Sequence, residues 1–262
     1  MFDFHLDRFE YFKTQIVNTE KSIIPFIEHL IGSLKPGQNV LEIGSAEGGV
    51  LKAFVDKGCL GTGIELDPVR IEQSRKYLSD DIANGKISIH HRDIFDNAFV
   101  VEFSGKFDLI VLKDVIEHIH DQEGLIRRLK QFLSPVGTIF FGFPPWKMPF
   151  GGHQQICKNR VLSRLPWFHL LPAFIYKAIL KGFGEDCDYL IDIKQTGLSI
   201  RHFEAIVKRQ GCNIVGRKLY LISPIYEFKF GIRPREQFTI ISRASFFRDF
   251  FTTGVYYLIK IE

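Results

Sequence analysis

The residues best suited to binding a small ligand lie in one short segment, N-V-L-E-I-G-S-A-E-G-G-V at residues 39–50. The segment begins with an apolar run that predicts a buried strand, then passes a carboxylate and several small residues before a second apolar run. A strand that turns into a helix through small residues lets backbone N–H groups approach a ligand closely, and the helix N-terminus adds partial positive charge. The segment therefore predicts a site for a small ligand that carries charged groups.

Two classes of ligand use such a turn: dinucleotides through their pyrophosphate, and S-adenosylmethionine through its charged amino-acid end. The dinucleotide fingerprint G-x-G-x-x-G/A is not met, because the position two residues after Gly44 is Ala46. Glu47 adds an anionic group to the turn, and a carboxylate that faces a pyrophosphate is repulsive. A ligand with sulfonium and ammonium cations tolerates Glu47 better, so the residues favour S-adenosylmethionine over a nicotinamide dinucleotide.

The chain around this turn alternates between short apolar strands and amphipathic helices. Gly58 is placed to close the first of these helices, and Pro68 to open the second. Repeated strand–helix–strand units with short connections predict a parallel sheet covered on both faces, whose ligands bind outside the carboxyl ends of the strands. Five strands are predicted in this part of the chain, at residues 39–44, 61–66, 86–91, 107–113 and 137–143.

The whole chain, residues 1–262, is predicted to be one Rossmann-like, doubly wound α/β domain. After an insert that follows the fifth strand, a helix and two strands at 213–222 and 237–244 complete a seven-stranded mixed sheet. The last two strands are joined by a loop without a helix, so the last strand is expected to be antiparallel. The domain is divided into an N-terminal helical flap at 1–35, a cofactor-binding core at 36–143 and a substrate or lid insert at 144–196. The sheet is completed by 197–243, and an aromatic C-terminal tail follows at 244–262.

The segment V-L-E-I-G-S-A-E-G-G resembles motif I of class I S-adenosylmethionine-dependent methyltransferases, with Ala46 in place of the usual middle glycine. The resemblance is to the small-molecule type, including quinone-biosynthesis relatives, and its recognisable motifs cover about residues 36–143. It implies that S-adenosyl-L-methionine is the cofactor and S-adenosyl-L-homocysteine the product. The residues assigned to the cofactor are Glu42, Gly44, Ser45, Ala46, Gly48, Glu65, Leu66, Asp93, Ile94 and Lys113.

Two acids in this set would hold the nucleoside. Glu65 ends the second predicted strand roughly 20 residues after the glycine turn, where a carboxylate can accept both ribose hydroxyls. The alternative is a solvent-exposed acid at a strand end. By the resemblance, Asp93 accepts a hydrogen bond from the adenine amine and the backbone N–H of Ile94 reaches a ring nitrogen, although Asp93 could instead cap a following helix.

The fourth predicted strand continues into K-D-V-I-E-H, which is similar to the same segment of small-molecule methyltransferases. That resemblance places Lys113, through its carbonyl, and Asp114 near the methionine end of the cofactor. Glu117 and His118 would then face the pocket or cap the next helix. His118 and His120 are two residues apart, a spacing that puts them on different faces of a helix, so no metal site is predicted.

The methyl acceptor is predicted to be an oxygen atom. Amino-methyltransferases carry Asn/Asp-Pro-Pro-aromatic after the fourth strand, whereas F-P-P-W at 143–146 follows the fifth strand. Its first residue, Phe143, cannot accept a hydrogen bond from an amine. The residues therefore favour a hydroxyl acceptor, with N- or C-methylation as the alternative and a catalytically inactive cofactor-binding module as another.

Methylation of a hydroxyl requires an aligned acceptor and a group that removes its proton. His153, in P-F-G-G-H-Q-Q, is the first candidate base, because an unperturbed histidine titrates near pH 6.5. The alternatives are His118 as the base, or His153 as a loop histidine bonded to backbone. Asp114 completes the candidate catalytic set, Gln154 or Gln155 could orient a polar substrate group, and Gly151 and Gly152 could be hinges of a lid.

Composition limits the partners and the compartment. The net charge is +4, but the basic residues are dispersed, so nucleic acid is not expected as a partner. Four widely spaced cysteines, no signal sequence and no apolar run of membrane-spanning length predict a cytoplasmic protein. Aromatic residues and lysines in 166–183 predict a lid helix, an apolar wall for the acceptor or a peripheral membrane contact, and the last two favour an aromatic or lipid-linked acceptor. The oligomeric state is not predicted.

Overall fold

A central sheet of eight strands organises residues 7–262, the part of the chain that this computed structural model describes. The strands are β1 Asn39–Ile43, β2 Leu60–Glu65, β3 Ile87–His91, β4 Phe107–Lys113, β5 Leu133–Phe143, β6 Cys212–Ile222, β7 Arg235–Glu236 and β8 Gly254–Ile261. Their spatial order is β3-β2-β1-β4-β5-β8-β6-β7. The first five strands are parallel, and β8 runs antiparallel to both of its neighbours, β5 and β6. The predicted doubly wound mixed sheet is confirmed, with eight strands instead of seven because of the two-residue β7.

The last strand was predicted at the wrong place. Residues 237–244 contain a short helix, Thr239–Arg243, and the antiparallel strand is Gly254–Ile261, inside the predicted aromatic tail. A strand that lies between two others in a sheet covered on both faces must be apolar on both sides. G-V-Y-Y-L-I-K-I meets this requirement, since its first six residues are all buried, whereas most of 237–244 is not buried. The sheet is therefore completed at Ile261 and not within 197–243.

Fourteen α-helices surround the sheet in the described residues. They are α1 Arg8–Asn18, α2 Ile24–Ile31, α3 Gly49–Asp56, α4 Pro68–Tyr77, α5 Ser79–Ala83, α6 Asn97–Phe103, α7 Gln122–Lys130, α8 Arg160–Arg164, α9 Ala173–Gly182, α10 Cys187–Thr196, α11 Ile200–Arg209, α12 Ile225–Phe230, α13 Thr239–Arg243 and α14 Arg248–Phe251. Gly58 takes a positive φ of 93° just after α3, and Pro68 is the first residue of α4, as predicted. No helix of residues 7–262 combines the length and apolarity needed to cross a membrane.

Each face of the sheet carries its own apolar layer. On one face, α7 and α11 contribute Leu129 and Phe203. On the other face, α1 and α2 contribute Phe12 and Ile27, so the helices predicted as an N-terminal flap are part of the core, and α3 contributes Phe54. Residues 1–6 of that predicted flap lie outside the described residues. The insert after β5 has a small core of its own, built around Phe168, Tyr176, Leu180 and Leu190.

Several loops meet at the carboxyl edge of the parallel strands. Because β8 is antiparallel to both β5 and β6, the latter two strands end at the same edge. The turns after β1, β2, β3 and β4 lie at this edge, together with the insert after β5 and the segment that links β6 to β8. This edge is where ligands bind in open α/β sheets.

Candidate active site

The turn after β1 has a backbone that small residues allow. Gly44, Ala46 and Gly48 have φ angles of 67°, 48° and 84°, in the left-handed region. A Cβ on Gly44 would lie 2.8 Å from a methyl of Val115, and one on Gly48 would lie 2.5 Å from a methyl of Leu78. The concentration of glycine in this segment is thus explained by backbone conformation and by close packing.

Most amide groups of this turn donate within the protein. Gly44 and Ser45 both donate to the carbonyl of Ile64, at 2.9 and 3.0 Å. The amide of Ala46 donates to Oε2 of Glu65 at 2.8 Å, and that of Gly48 to the Ser45 carbonyl at 2.7 Å. The turn is therefore a closed loop whose amides are already bonded, unlike a turn that cradles a phosphate.

Glu42 occupies the N-terminus of α3. Its Oε2 accepts a hydrogen bond from the amide of Leu51 at 3.0 Å, in the first turn of the helix. Burial raises the pKa of the Glu42 carboxyl well above its usual value, and the Glu65 and Glu47 carboxylates raise it further, against the lowering effects of the Leu51 amide and Lys113. A buried acid of this kind is ready to ionise beside an incoming cation.

Glu47 does not face the site as a free charge. It is buried, and its Oε1 accepts a hydrogen bond from Nη1 of Arg8 in α1 at 3.1 Å. Its Oε2 and the Oγ of Ser45 are both buried without a hydrogen-bond partner among residues 7–262. These two atoms are polar groups for which a ligand could supply the missing partner.

Glu65 binds the backbone on both sides of the site. Besides the Ala46 amide, it accepts the amides of Leu66 at 2.8 Å and Asp67 at 3.0 Å. A carboxylate offers about four lone-pair sites, so a two-point contact with ribose hydroxyls requires one of these bonds to be shared or released. The Leu66 side chain beside it is 61% exposed, an apolar surface open to a ligand.

Asp93 and Ile94 lie after β3. Oδ1 of Asp93 accepts a hydrogen bond from the amide of Phe95 at 2.9 Å, and Ile94 is buried. The cap of the next helix is Asp96, not Asp93, so the alternative role proposed for Asp93 is taken by another residue. The assignment of Asp93 and Ile94 to adenine stays a prediction.

Lys113 and Asp114 lie at the end of β4, on the floor of the cleft. Nζ of Lys113 lies 2.6 Å from Oδ2 of Asp114, and Asp114 holds a positive φ of 56° while its amide donates to the Gly142 carbonyl at 2.7 Å. Burial disfavours both charges, but each favours the other, so the pKa of Lys113 is raised and that of Asp114 is lowered. The pair is therefore ionised, and the contact of the Lys113 carbonyl with the cofactor stays a prediction.

The turn after β1 and the end of β4 line a cleft with about 470 Å³ of empty space, which includes open solvent. It brings together six of the predicted site residues, Glu42, Gly44, Ser45, Ala46, Lys113 and Asp114, and Glu47 also lines it. α1 contributes Tyr11 and α4 contributes Arg70, neither of which the sequence indicated. Gly48, Glu65, Leu66, Asp93 and Ile94 do not line this cleft. The buried acids and unpaired polar atoms of this cleft fit a ligand that carries cationic and polar groups.

A second, smaller pocket of about 210 Å³ contains the first candidate base. Its lining includes His153, Glu117, Trp146, Ile193 and Leu198. The rings of His153 and His118 meet edge to face, with centroids 5.2 Å apart. Burial, with the neighbouring His118, lowers the pKa of His153 to about 4, and burial also lowers the pKa of His118. Both imidazoles are therefore neutral near pH 7 and able to accept a proton.

Glu117 is the most unusual group of this pocket. It is buried, and neither carboxyl oxygen has a hydrogen-bond partner within the described part of the chain. Burial raises its pKa well above the usual value, and the charge of Asp114 raises it further, so the protonated form is favoured. Sequence reasoning left Glu117 between the pocket and a helix cap, and the structure places it in the pocket.

The glycines and glutamines of the loop at 149–155, which carries His153, pack inside the loop and form hydrogen bonds within it. Nε2 of Gln154 donates to the carbonyls of Pro149 and Leu165, at 3.1 and 3.2 Å, so this side chain holds the loop together. A Cβ on Gly151 would collide with the Trp146 carbonyl, and one on Gly152 with the His169 side chain. Close packing therefore explains both glycines, and their role as hinges stays a prediction.

Helix α12 adds two residues that the sequence did not indicate. Burial raises the pKa of Tyr226 to about 12, with a further contribution from the charge of Asp114. Burial lowers the pKa of Lys229, whose charge interacts with Asp114, Lys113 and His153. In the sequence, 225–230 lie between two predicted strands and far from motif I, so no local signal connected them to the site.

A model of a methyltransferase domain matches residues 17–173, more than half of the chain. The chain is 31% identical over 178 residues to a ubiquinone biosynthesis O-methyltransferase of Actinobacillus pleuropneumoniae serotype 5b, a match that covers 66% of this chain and 73% of that protein. A second one, of Bordetella avium, is 26% identical over 118 residues, which cover 45% of this chain and 47% of the relative. The chain thus spans only about half the length of several relatives.

Solved structures show the same fold at low identity. A geranyl diphosphate C-methyltransferase from Streptomyces coelicolor, in complex with Mg²⁺, geranyl diphosphate and S-adenosyl-L-homocysteine, superposes with a TM-score of 0.58 at 13% identity. That match covers 93% of this chain and 81% of the other. The plantazolicin methyltransferase BpumL in complex with S-adenosylhomocysteine gives 0.56 at 14% identity, over 95% and 85% of the two chains.

Proposed function

Because this chain belongs to the methyltransferase-domain family, we propose that it methylates a hydroxyl oxygen of a small or lipid-linked acceptor, with His153 as general base. The chain is an S-adenosylmethionine-dependent methyltransferase that acts on small molecules, and the proposal concerns the acceptor atom and the residues. The observation that carries it is a neutral, partly buried imidazole in a pocket at the carboxyl edge of the sheet, beside the acidic cleft.

The cofactor is held by the turn after β1 and by the ends of the next strands. Glu42 and Ser45 face its charged amino-acid end, with Gly44, Ala46 and Gly48 shaping the turn. Glu65, Leu66, Asp93 and Ile94 complete the set at the nucleoside, and Lys113 completes it at the methionine end. When bound, S-adenosylmethionine supplies a methyl carbon that is activated by its sulfonium.

His153 removes the proton of the acceptor hydroxyl. Since the imidazole is neutral at physiological pH, it is already in the form that a general base requires. Asp114, ionised beside Lys113, is close enough to raise the pKa of His153, so its charge favours the imidazolium that results. His118 packs against the ring of His153 and is the second candidate for the base.

The acceptor is proposed to present an apolar ring or chain beside its hydroxyl. Trp146, Ile193 and Leu198 give the second pocket an apolar wall, and Glu117 gives it a polar group. The relatives named ubiquinone biosynthesis O-methyltransferases support oxygen as the methylated atom. Peripheral contact of 166–183 with a membrane belongs to the same proposal, since Phe174 and Phe183 are exposed there.

The test is to measure S-adenosylhomocysteine release with a panel of soluble phenols and polyprenylated phenols, and to identify the methylated atom by NMR of the product. His153→Asn should lower kcat by about 100-fold or more, within the range of general-base catalysis. His202→Asn, at an exposed position of α11, is the matched control and should have no effect. A methyl group on carbon or nitrogen, or a larger loss in His118→Asn than in His153→Asn, contradicts the proposal. Cofactor binding without transfer to any acceptor would indicate an inactive binding module.

A further inference from the structure

The segment between β6 and β8, residues 223–253, exposes several large apolar side chains. Seven of them are 42 to 80% exposed: Phe230 at the end of α12, and the six that follow it, Ile232, Phe238, Ile240, Phe246, Phe247 and Phe251. Phe246 contacts both Phe247 and Phe250, with ring centroids 5.3 and 5.4 Å apart. Exposed apolar surface concentrated in one segment is typical of an interaction site. We name these six residues the aromatic surface.

Arginines accompany the aromatic surface. Arg233, Arg235 and Arg243 are exposed, and the guanidinium of Arg235 lies 4.6 Å from the ring centroid of Phe238. The exposed acid of this stretch, Glu236, pairs with Lys218 at 2.6 Å. Aromatic and aliphatic side chains interspersed with arginine are the composition that binds the headgroup region of an anionic bilayer.

The aromatic surface is connected to the site. Its segment leaves β6 and returns through β8 at the carboxyl edge of the sheet, where the insert after β5 also begins. α12 in the same segment carries Lys229, whose charge interacts with Asp114 and His153. Nζ of Lys147, the residue after the pocket residue Trp146, lies 5.9 and 5.6 Å from the ring centroids of Phe246 and Phe250.

From this placement we propose that the aromatic surface docks on an anionic lipid bilayer, so that the acceptor pocket opens at the membrane. The proposal rests on the proposed lipid-linked acceptor and adds a second contact to the one at 166–183. A second copy of the chain fits less well, because a symmetric contact would bring the same arginines of both copies together. A negatively charged bilayer complements them.

Vesicle flotation tests the surface without any acceptor. The wild-type chain should float with vesicles of phosphatidylcholine and phosphatidylglycerol, should bind pure phosphatidylcholine much more weakly, and should lose binding in high salt. Phe246→Ser/Phe247→Ser should weaken binding by about tenfold or more, because each exposed ring adds apolar burial in the interface. Arg233→Ser/Arg243→Ser should reduce binding to the anionic vesicles by roughly fivefold per arginine.

Matched variants locate the contact. Val101→Ser/Val136→Ser replaces two exposed apolar residues outside this segment and should leave flotation unchanged. Phe174→Ser/Phe183→Ser tests the insert in the same assay. The proposal is overturned if the wild-type chain does not float, or if its flotation does not depend on lipid charge. It is also overturned if only Phe174→Ser/Phe183→Ser abolishes flotation. A concentration-dependent dimer in sedimentation that Phe246→Ser/Phe247→Ser abolishes would assign the surface to a second copy instead and also overturn it.

The two proposals fail in distinguishable ways. Calorimetry with S-adenosylhomocysteine and methyl transfer to a soluble phenol report on the methyltransferase site and need no membrane. Normal values there without flotation would refute the docking surface alone. Flotation together with N- or C-methylation would refute the proposed acceptor atom and leave the docking surface in place.

Discussion

The depressed pKa of His153 leads to a sharp expectation for the acid side of the pH–rate profile. Burial, with His118 and Lys229, lowers this pKa to about 4 against the opposing charge of Asp114. At pH 5 an imidazole with a pKa of 4 is about 90% neutral, whereas one with the usual 6.5 is about 3% neutral. Between pH 7 and 5, kcat/KM should therefore fall by about 1.1-fold if the base is His153 in this environment, and by about 25-fold for an unperturbed histidine.

The assay has an arm that requires no acceptor. The ring protons of His153, assigned by comparison with His153→Asn, should titrate in NMR spectra with a midpoint near pH 4. Methyl transfer to the best phenol of the panel gives the second arm, with circular dichroism at each pH to show that the chain stays folded. Lys229→Met removes a neighbouring positive charge and should raise the midpoint, whereas Asp114→Asn removes a negative charge and should lower it.

A midpoint between pH 6 and 7 would refute the burial of His153 in this pocket. A 25-fold loss of kcat/KM by pH 5, persisting in His153→Asn, would refute its role as the base and point to another titrating group. Unchanged midpoints in Lys229→Met and Asp114→Asn would refute the placement of α12 and of the end of β4 around the imidazole.

Three further predictions concern the rest of the site. Glu65→Ala should weaken S-adenosylhomocysteine binding in calorimetry by roughly 10- to 100-fold, since a hydrogen bond to a charged group contributes about 1.5–3 kcal/mol. The control Glu72→Ala, on the exposed side of α4, should have no effect on this binding. Gly48→Ala should lower the free energy of unfolding in urea by about 2–4 kcal/mol through its φ of 84° and its contact with Leu78, more than Gly85→Ala, which has a similar φ but open space. Because the pKa of Glu117 is raised, the folded state holds a proton that the unfolded state releases above about pH 4.5, and stability therefore falls as pH rises. Glu117→Gln should reduce the fall in Tm between pH 5 and 8. A fall in Tm as steep as that of the wild type would contradict this prediction.

β1, β4 and β5 were predictable from the sequence because each contains a nearly continuous apolar run, whereas β2 and the edge strand β3 contain fewer apolar residues. The predicted 107–113 coincides with β4, and 39–44, 61–66 and 86–91 agree with β1, β2 and β3 within one residue at each end. Such runs belong to strands buried on both faces, and turn residues delimit them clearly. β5 begins four residues before its predicted start, with L-S-P-V, and its pairing with β4 is irregular between Leu133 and Thr138.

The order of the last strands was not predictable in the same way. Residues 237–244 contain four apolar residues and 254–261 contain six, and the choice between them depends on which segment lies between β5 and β6. Aromatic residues at 246–257 suggested a surface tail, whereas Tyr256 and Tyr257 are in fact buried within β8. Non-local pairing decides such cases, and no local pattern reports it.

The candidate site was predictable where it is built from one local segment and not where distant elements complete it. Motif I, with Glu42, Gly44 and Ala46, lies on the cleft as the segment implied. Tyr11 and Arg8 reach it from α1, and Lys229 from α12, through packing that sequence spacing does not encode.

The structure also changes the reason for preferring a cationic cofactor to a dinucleotide. From the sequence, the charge of Glu47 was expected to repel a pyrophosphate, but Arg8 pairs with that carboxylate. The exclusion comes instead from the amides of the turn, which are bonded to Ile64 and Glu65, and from Glu42 at the N-terminus of α3. A phosphate would have to displace the Glu42 carboxyl from the position that helix N-termini offer to anions. An ammonium group would meet there a buried acid whose ionisation it favours, so we propose that the same carboxyl that blocks an anion selects the cation.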